Sequence, residues 1–320
     1  MKALTLSSFG SSDVLEYKEV NDPVLKPTDI LVEMKAIGLN FADLMRRNGV
    51  YPMRGSKPYI NGFEGAGIVK DNNGHAEFKI GDRVAFADVP FANAALVAVP
   101  FDNLIPLPDE ISFETAASVM LQGLTAHFLT SDSHTIKKGE TVLIHAVAGG
   151  VGQLLIQVCK ILGAKVICLA SSESKKQIAL SLGADNVFLY SDDWKEKVLE
   201  LFPEGVDVVY ESIGTTMESS LAITKVLGKV VFFGMAGGKL EIGNPLWIIA
   251  HSKSIIGGDL WNYLTSREER LRRAKIFFDW YIEGKIKVSA PTIFKLSEGK
   301  KAHDFMEGRH STGKVLMIPG

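Results

Sequence analysis

Short apolar runs separated by turn residues fill the first part of the chain. This pattern predicts a β-rich region, because glycine, proline, asparagine and aspartate tend to end strands. The predicted strands lie at residues 3–6, 15–20, 30–37, 66–70, 83–87 and 94–99. Near Phe113 the apolar spacing becomes helical, and a helix is predicted over residues 115–129.

From Thr141 onward, apolar strands alternate with helices. The predicted strands lie at residues 141–145, 165–170, 186–189, 206–212, 229–234 and 254–257. This alternation predicts a parallel sheet with helices on both faces, joined by right-handed crossovers. A tail follows, with helices predicted at 266–283 and 298–306 and strands at 292–295 and 313–318. Because the tail is too small for a core of its own, we expect it to pack on the first domain.

The turn after the strand at 141–145 is rich in small residues and reads His145-Ala-Val-Ala-Gly-Gly-Val-Gly152. A strand, a glycine turn and a helix in this order suit a pyrophosphate, which the helix N-terminus attracts with free N–H groups. Gly149 and Gly152 keep the last two places of G-x-G-x-x-G, while Ala146 and Val147 stand where the first glycine would be. Close packing of a glycine-rich helix start is the alternative. The predicted cofactor contacts are Ala148, Gly149, Gly150, Val151 and Gly152.

The end of the next strand indicates which dinucleotide is bound. The strand at 165–170 runs into Ser171 and Ser172, with Lys175 and Lys176 in the following turn. Two hydroxyls and two cations suit a 2′-phosphate, so we expect NADPH, bound by Ser171, Ser172 and Lys175. Glu173 leaves an alternative open. It either occupies the first turn of a helix capped by Ser171 or Ser172, or accepts a ribose diol and makes the cofactor NAD.

Composition narrows the class of protein. The 320 residues are enough for two domains, and a hydrophobic fraction of 46% with 22% charged residues is typical of a soluble globular chain. A formal net charge of −2 predicts no nucleic-acid partner and no anionic membrane partner. The short apolar start does not resemble a signal peptide. Cys159 and Cys168 fall inside a predicted helix and strand, as expected for buried thiols of a cytoplasmic protein.

Several motifs in the same order as in a known family extend over nearly the whole chain. They lie at residues 36–43, 49–52, 62–67, 81–84, 121–126, 145–152 and 313–316. The sequence resembles the zinc-independent quinone oxidoreductases of the medium-chain dehydrogenase/reductase superfamily. The resemblance implies an α/β fold with a GroES-like β-rich domain, residues 1–122 completed by 260–320. It also implies a Rossmann domain with a doubly wound parallel sheet at 123–259, and a nucleotide in the cleft between the domains.

The resemblance also locates the places that hold catalytic zinc in related alcohol dehydrogenases. Asn40, Phe63 and Gln122 occupy those places here. Phenylalanine has no lone pair to donate, and amides are poor ligands for zinc, so no metal is predicted. The four-cysteine structural loop of the zinc members is also missing. The remaining histidines are scattered, and we expect packing or surface roles for His75, His127, His134, His251, His303 and His310.

Without zinc, other groups must stabilise the charge that develops on the substrate oxygen. The resemblance places Asn40 and Tyr51 near the nicotinamide and the substrate, and both can donate hydrogen bonds. It places Thr125 beside the nicotinamide ring. The alternatives are a turn residue for Asn40, an aromatic plug of a turn for Tyr51 and a packing or capping hydroxyl for Thr125.

Further cofactor residues are expected in the later strands. The resemblance places Tyr190 with Lys175 at the adenosine phosphate, although a tyrosine packed on the sheet edge is the alternative. Ser212, Gly214 and Gly234 follow strands at their carboxyl ends, where ligands of open α/β sheets bind. The family usually has aspartate before that serine, and Glu211 stands there. Lys314 could reach the cofactor from across the cleft, or be a solvated lysine.

These observations predict an NADPH-dependent reductase of quinones or other conjugated carbonyls that transfers hydride without zinc. An enone, 2-alkenal or enoyl-thioester reductase on the same scaffold is the first alternative. A nucleotide-gated binding or structural protein is the alternative from another class. Motifs for fold and cofactor leave the physiological acceptor open.

The final strand of the Rossmann sheet predicts self-association. Residues 244–251 and 254–261 are apolar and contain Trp247 and Trp261. An open edge exposes unpaired N–H and C=O groups, which favours antiparallel pairing with a second copy. We therefore expect a homodimer through this edge strand. Coverage of the edge by the two tryptophans within one chain is the alternative.

Overall fold

A computed structural model describes residues 1–238, 240, 242, 246–309 and 311–320. Up to the centre of the chain its elements are β1 (Lys2–Leu6), β2 (Leu15–Glu19), β3 (Asp29–Leu39), α1 (Phe41–Arg47), β4 (Tyr59–Ile60), β5 (Glu64–Asp71), β6 (Arg83–Ala87), β7 (Leu96–Pro100), β8 (Ile105–Pro106), α2 (Phe113–Phe128), β9 (Thr141–Ile144) and α3 (Gly150–Ile161). The later elements are β10 (Lys165–Ala170), α4 (Glu173–Ser181), β11 (Asn186–Leu189), α5 (Trp194–Leu201), β12 (Val206–Glu211), α6 (Met217–Ala222), β13 (Thr224–Phe232), α7 (Leu246–Ala250), β14 (Ser254–Gly257), α8 (Arg267–Ile282), β15 (Thr292–Lys295), α9 (Gly299–Glu307) and β16 (Val315–Ile318).

The chain forms two compact units. The first contains residues 1–122, 264–282 and 288–320, and the second contains 123–263 and 283–287. The domain expected to include all of 260–320 therefore loses 260–263 and 283–287 to the second unit. The side chain of Gln157 attaches residues 283–287 to the second unit, because it donates to the carbonyl of Lys287 at 3.0 Å and accepts its N–H at 2.7 Å.

The first unit is built mostly from antiparallel strands, with the one pair β15 and β16 parallel among the described strands. Its larger sheet runs β15-β16-β3-β5-β6-β8, with β7 also paired to β3, and a smaller sheet runs β2-β1-β4. The long strand β3 is central because its inward side chains Ile30, Val32 and Met34 are buried in the core. The tail pairs as expected: Val315 lies opposite Leu39 as β16 runs antiparallel to β3.

The second unit contains the predicted parallel sheet, in the order β11-β10-β9-β12-β13-β14. All its recorded strand pairs are parallel. The direction of strand addition reverses between β9 and β12, and ligands of such sheets bind outside the carboxyl ends of the strands at this point. The fold class predicted from the alternating pattern is confirmed.

The differences from the predicted elements have local causes. The helix α1 was not predicted, because its seven residues give little periodicity. The strand β13 begins at Thr224 instead of 229 and passes through Leu227 at a φ of 64°. The helix predicted to end at 129 continues as a π-helical turn over Leu129–Ser133.

A buried cluster joins α1 to the helix α9 of the tail. Arg47 has no exposed side-chain surface and donates to Glu307 at 2.8 Å and to the carbonyl of Gly10 at 3.1 Å. Its guanidinium also lies 3.5 Å from Nδ1 of His303. Burial, reinforced by the charge of Arg47, lowers the pKa of His303 to about 3. The native protein therefore keeps this imidazole neutral.

We predict that His303 makes the protein less stable in acid. Between pH 6.5 and about 3 the unfolded chain binds a proton that the native imidazole rejects, so stability is complete above this window and falls as pH decreases through it. The loss should approach about 1.4 kcal/mol per pH unit. The His303→Gln variant should flatten this dependence in urea unfolding measured across the window. The exposed His251→Gln variant should keep the wild-type slope, and an unchanged slope for His303→Gln would contradict the prediction.

Candidate functional site

A buried carboxylate, that of Glu64, collects donors from separate segments of the first unit. Its Oε1 accepts the backbone N–H of Leu121 in α2 at 2.6 Å. Its Oε2 accepts Nδ2 of Asn40 at 2.8 Å and the ammonium of Lys314 at 2.5 Å. The side chains of Lys314 and Glu64 are 2% and 0% exposed. A buried carboxylate requires a cation and donors, and this arrangement supplies both.

The local structure explains how these groups meet. Asn40 is the N-cap of α1, and its backbone N–H donates to Asp43 at 2.9 Å. Lys314 immediately precedes β16, whose partner β3 ends just before Asn40. Gly38 provides the space, because a Cβ at that position would collide with Oε2 of Glu64. The pairing of β16 with β3 therefore brings the lysine to the carboxylate.

The amide of Asn40 is fully engaged by this cluster. Its Nδ2 donates to Glu64 and, at 3.3 Å, to the carbonyl of Gly38. Its Oδ1 accepts Lys314 at 2.8 Å and Gln122 at 3.4 Å. Both amide hydrogens of Asn40 are engaged within the protein, and its expected role as a donor to substrate stays a prediction. The alternative of a solvated lysine is wrong for Lys314, because its ammonium is buried in an ion pair with Glu64.

The places that resemble a zinc site contain cations of the protein itself. Asn40 and Gln122 share their hydrogen-bond network with the Lys314 ammonium. The ring of Phe63 is covered by the Arg46 guanidinium, whose central carbon lies 3.7 Å from the ring centroid. Across the described ranges, no group of three or more His, Cys, Asp or Glu side chains is arranged to hold a metal. These residues do not fit a catalytic zinc ion.

The two hydroxyl candidates belong to different units. Tyr51 is half-buried in the loop after α1, where its backbone N–H donates to the carbonyl of Met45 at 3.2 Å. Thr125 is 8% exposed and lies on the part of α2 that belongs to the second unit. Both remain candidates for contact with substrate and nicotinamide.

The glycine turn of the second unit has the predicted form. Gly149 is the N-cap of α3, and Ala148, Gly150 and Val151 surround it at the start of the helix. Gly152 is required by close packing, because a Cβ there would lie 2.6 Å from the carbonyl oxygen of Ala146. The N–H of Gly149 donates to the carbonyl of Ala146 at 3.0 Å. The first N–H groups of a helix have no partner within the helix, which is what a pyrophosphate site needs.

The serine and lysine candidates after β10 come together. Ser172 is the N-cap of α4 and accepts the backbone N–H of Lys175 at 3.4 Å. The ammonium of Lys175 donates to Ser171 at 3.2 Å. Glu173 lies in the first turn of α4 and accepts Gln177 at 2.9 Å, which matches the helical explanation of this residue.

Tyr190 follows β11, and its hydroxyl is directed at the glycine turn. It accepts the N–H of Ala146 at 3.1 Å and lies 3.0 Å from Nδ1 of His145. Burial raises the pKa of this phenol. The contacts of its hydroxyl are with the backbone and a side chain of the turn, and the expected contact of Tyr190 with the adenosine phosphate stays a prediction.

The loops after β12 and β13 contain the other predicted cofactor residues. Ser212 and Gly214 follow β12, and Gly234 follows β13, at the carboxyl ends of the strands. The carboxylate of Glu211 holds this region by accepting the N–H groups of Ile213 at 2.7 Å and Gly214 at 3.1 Å. Glu211, the last residue of β12, therefore holds the backbone of the loop that follows this strand.

The sequence analysis does not identify the structural role of two acidic residues. Glu64, the first residue of β5, and Glu211, the last residue of β12, are both fully buried. An acidic residue in an apolar strand is a usable signal, because it needs donors to be buried. The identity of those donors is not visible locally, since Lys314 lies 250 positions from Glu64.

Two family models match the chain. The model described as alcohol dehydrogenase GroES-like domain matches residues 26–109, and the one described as zinc-binding dehydrogenase matches residues 150–275. The second description names a metal that the residues of the candidate site do not fit.

Known proteins of similar sequence and structure cover the whole chain. The quinone oxidoreductase of Pseudomonas aeruginosa is 36% identical, with 99% of each chain covered. The 2-haloacrylate reductase of a Burkholderia species is 33% identical, covering 99% of this chain and 98% of that protein. The crystal structure of Escherichia coli quinone oxidoreductase complexed with NADPH has a TM-score of 0.94 at 34% identity, covering 100% of both chains.

The fold and the glycine turn define a two-domain oxidoreductase with one GroES-like and one Rossmann domain. The chain belongs to the quinone oxidoreductase branch of the medium-chain dehydrogenase/reductase superfamily, which confirms the resemblance seen in its motifs. None of the helices in the described ranges has the length and apolar character needed to cross a bilayer.

We predict that Lys314 is required for stability because it neutralises Glu64. The Lys314→Met variant should lose about 3 kcal/mol of unfolding free energy, since it leaves a buried carboxylate unpaired. The double variant Lys314→Met with Glu64→Gln should recover most of this loss. Urea unfolding of the single and double variants measures the coupling. The exposed lysine of the Lys300–Asp13 pair provides a control, and Lys300→Met should leave the unfolding midpoint unchanged. A Lys314→Met protein as stable as the wild type would contradict the prediction.

Proposed function

We propose that this protein catalyses the NADPH-dependent reduction of quinones or related conjugated carbonyls by hydride transfer, without zinc. The observation that carries the proposal is the glycine turn of the Rossmann domain, with the Ser171–Lys175 pair after the next strand. Relatives named quinone oxidoreductase, one of them solved with NADPH, support the same activity.

The nucleotide would be held by residues at the carboxyl ends of the parallel strands. The N–H groups around Gly149 would face the pyrophosphate, and Ser171 and Lys175 would hold the 2′-phosphate. Bound NADPH supplies a hydride from its nicotinamide. The loops that contain Gly214 and Gly234 line the same sheet end and would bound the nicotinamide half.

Two hydroxyl side chains are the candidates to bind and polarise the acceptor. Tyr51 and Thr125 each have a hydroxyl that can donate to the oxygen on which charge develops. Asn40 would shape this region through its backbone position and its bonds to Glu64 and Lys314, not through a free amide hydrogen. Zinc independence follows from the same cluster, whose ammonium and amides leave no ligand set for the metal.

A second acceptor class has specific support. The Burkholderia relative named 2-haloacrylate reductase favours attack on the carbon–carbon double bond of a conjugated acid or carbonyl. Both reactions need an electron-poor conjugated acceptor in contact with the nicotinamide.

The two buried free cysteines, Cys159 and Cys168, fit a reducing cytoplasmic location.

We predict that the purified protein oxidises NADPH when 1,4-naphthoquinone is present, and faster than it oxidises NADH. Dialysis against a strong chelator should leave this rate unchanged, because no step uses a metal. Loss of NADPH absorbance measures the reaction, with 2-haloacrylate, a 2-alkenal and crotonyl-CoA as competing acceptors. Loss of the rate on chelation, with recovery on addition of zinc, would contradict zinc independence. NADPH binding without oxidation by any acceptor would instead support a nucleotide-gated binding protein.

Lys175→Ala is the variant that tests the cofactor assignment. Loss of a charge-assisted contact should raise the KM for NADPH roughly tenfold and leave the KM for NADH nearly unchanged. Lys176→Ala is the matched control, because Lys176 pairs with Glu173 of its own helix at 3.7 Å. Equal effects of Lys175→Ala on both nucleotides would remove the basis for NADPH selectivity.

We further propose that the protein is a homodimer through β14. This strand is the last of the sheet in the described chain, and the neighbouring helix α7 exposes Leu246 at 65% and Ile249 at 74%. The ring of Trp247 stacks on that of His251 with centroids 4.3 Å apart, and it packs against the core of the second unit. Asn244 and Pro245 of the predicted segment, and His310, lie outside the described residues.

We predict a dimer mass in sedimentation at micromolar concentration, because antiparallel pairing of two β14 strands satisfies their outer N–H and C=O groups. Ile256→Lys should give monomers or aggregates, whereas Ile255 packs on the domain core and is a poorer choice. Ile80→Lys, at a 72% exposed residue of the first unit, should remain dimeric. A monomer mass for the unaltered protein would refute the proposal.

A further inference from the structure

The guanidinium of Arg46 has hydrogen-bond donors that the protein does not use. Its Nη1 donates to Oδ1 of Asp43 at 3.3 Å, and this is the one hydrogen bond that the guanidinium makes to a described residue. Within the described ranges, the buried side-chain atoms that lack a hydrogen bond include no atom of Arg46. The unbonded Nε and Nη2 of this side chain, which is 9% exposed, therefore reach the surface.

The position of these two groups suits a carboxylate. The N–H bonds of Nε and Nη2 point in parallel from one edge of the planar guanidinium, and a carboxylate accepts both of them at once. The ring of Phe63 covers one face of the guanidinium, with its centroid 3.7 Å from the central carbon. Since the ring and Asp43 hold the guanidinium in place, its unused edge is preorganised for a planar anion.

The helix α1 places this arginine beside the residues expected to meet the acceptor. Arg46 lies one turn after Asp43, whose Oδ2 accepts the backbone N–H of Asn40 at 2.9 Å. The neighbouring residue, Met45, accepts the backbone N–H of Tyr51 at 3.2 Å through its carbonyl. Arg46 is therefore connected through a single residue to each of the two acceptor candidates of the first unit.

The ion pair with Asp43 leaves Arg46 able to bind a second carboxylate. Its distance of 3.3 Å is longer than the 2.5 Å between Lys314 and Glu64. Burial raises the pKa of Asp43, and the charge of Arg46 opposes this effect only in part. A guanidinium has five N–H donors, so Asp43 and a ligand can occupy different edges of the same group.

We propose that Arg46 is a specificity-determining residue, which binds the carboxylate of the acceptor through Nε and Nη2 and makes the protein prefer conjugated carboxylic acids to neutral conjugated carbonyls. The inference rests on the proposed function and narrows its class of acceptor.

The chemistry of such an acid explains why a guanidinium is useful there. Hydride addition at the β-carbon moves the electron pair of the double bond toward the α-carbon and the carboxylate. A proton from water then adds at the α-carbon, so that the acid becomes saturated while NADPH becomes NADP⁺. Because the carboxylate gains negative charge in the first step, a guanidinium bound to it stabilises the transition state.

The first test uses the unaltered full-length protein with NADPH and compares 2-chloroacrylate with 2-chloroacrylamide. The carboxylate withdraws electrons less than the amide does, so the acid is intrinsically the poorer hydride acceptor. We nevertheless expect kcat/KM to be roughly tenfold higher for the acid, because only the acid pairs with Arg46. A higher kcat/KM for the amide would overturn the inference, and this comparison requires no variant to fold.

The second test uses Arg46→Lys, which keeps a charge beside Asp43 and removes the parallel pair of N–H groups. The ratio of kcat/KM for the acid to that for the amide should fall roughly tenfold, mainly through the KM for the acid. Arg83→Lys is the matched control, because Arg83 also lies over an aromatic ring, that of Phe113 at 4.9 Å, and donates to a backbone carbonyl. This control should keep the wild-type ratio. An equal loss for acid and amide in Arg46→Lys would overturn the inference.

Calorimetric titration with 2-chloroacrylate separates this inference from the proposed function. The acid should bind the unaltered protein more tightly than Arg46→Lys. Such binding without NADPH oxidation by any acceptor would refute the proposed function and support the carboxylate site. Oxidation of NADPH by 2-chloroacrylate at the same KM in both proteins would support the proposed function and overturn the role of Arg46.

Discussion

The first unit depends on one constraint, the neutralisation of the Glu64 carboxylate in a site with no solvent exposure. An unpaired charge there would lower the free energy of unfolding by several kcal/mol, so the fold must place a cation and donors beside it. Lys314 lies beside Glu64 because the tail pairs with β3 as the strand β16. The ion pair therefore couples the strand β5, the start of α1, the middle of α2 and the C-terminal strand. It also decides the orientation of Asn40, whose amide lies between the two charges.

The second unit solves a related problem without a cation. Glu211 is equally buried, but its partners are hydroxyls, backbone N–H groups and a neutral imidazole. The contacts of this network run from Tyr190 and His145 at the glycine turn through Ser220 to the carboxylate of Glu211. The same carboxylate accepts the N–H groups of Ile213 and Gly214, so one set of hydrogen bonds connects the two loops. Within the turn, Ala146 has a φ of 50° and its N–H donates to the hydroxyl of Tyr190 at 3.1 Å.

The residues at the places that resemble a zinc site have other partners in this chain. Hydrogen bonds to Lys314 and Glu64 occupy the amide of Asn40, and the ring of Phe63 faces a guanidinium. These cations belong to buried ion pairs, with Glu64 for Lys314 and Asp43 for Arg46 at 3.3 Å. Each of these two buried cations, Lys314 and Arg46, is therefore neutralised by a carboxylate of the protein itself.

The sequence by itself determined the order of the elements, the parallel sheet and the glycine turn, because periodicity, turn residues and helix caps act over a few neighbours. It also determined that Ser172 and Lys175 meet, since an N-cap and its first turn are local. Only the tertiary structure decided the partners of Glu64, the engagement of Asn40 and the direction of the Tyr190 hydroxyl. These depend on strand register and on residues far apart in the chain, and a buried polar atom bonds whichever group the packing brings to it. Local pattern showed which residues were chemically able to act, and long-range packing decided which of their atoms were already in use.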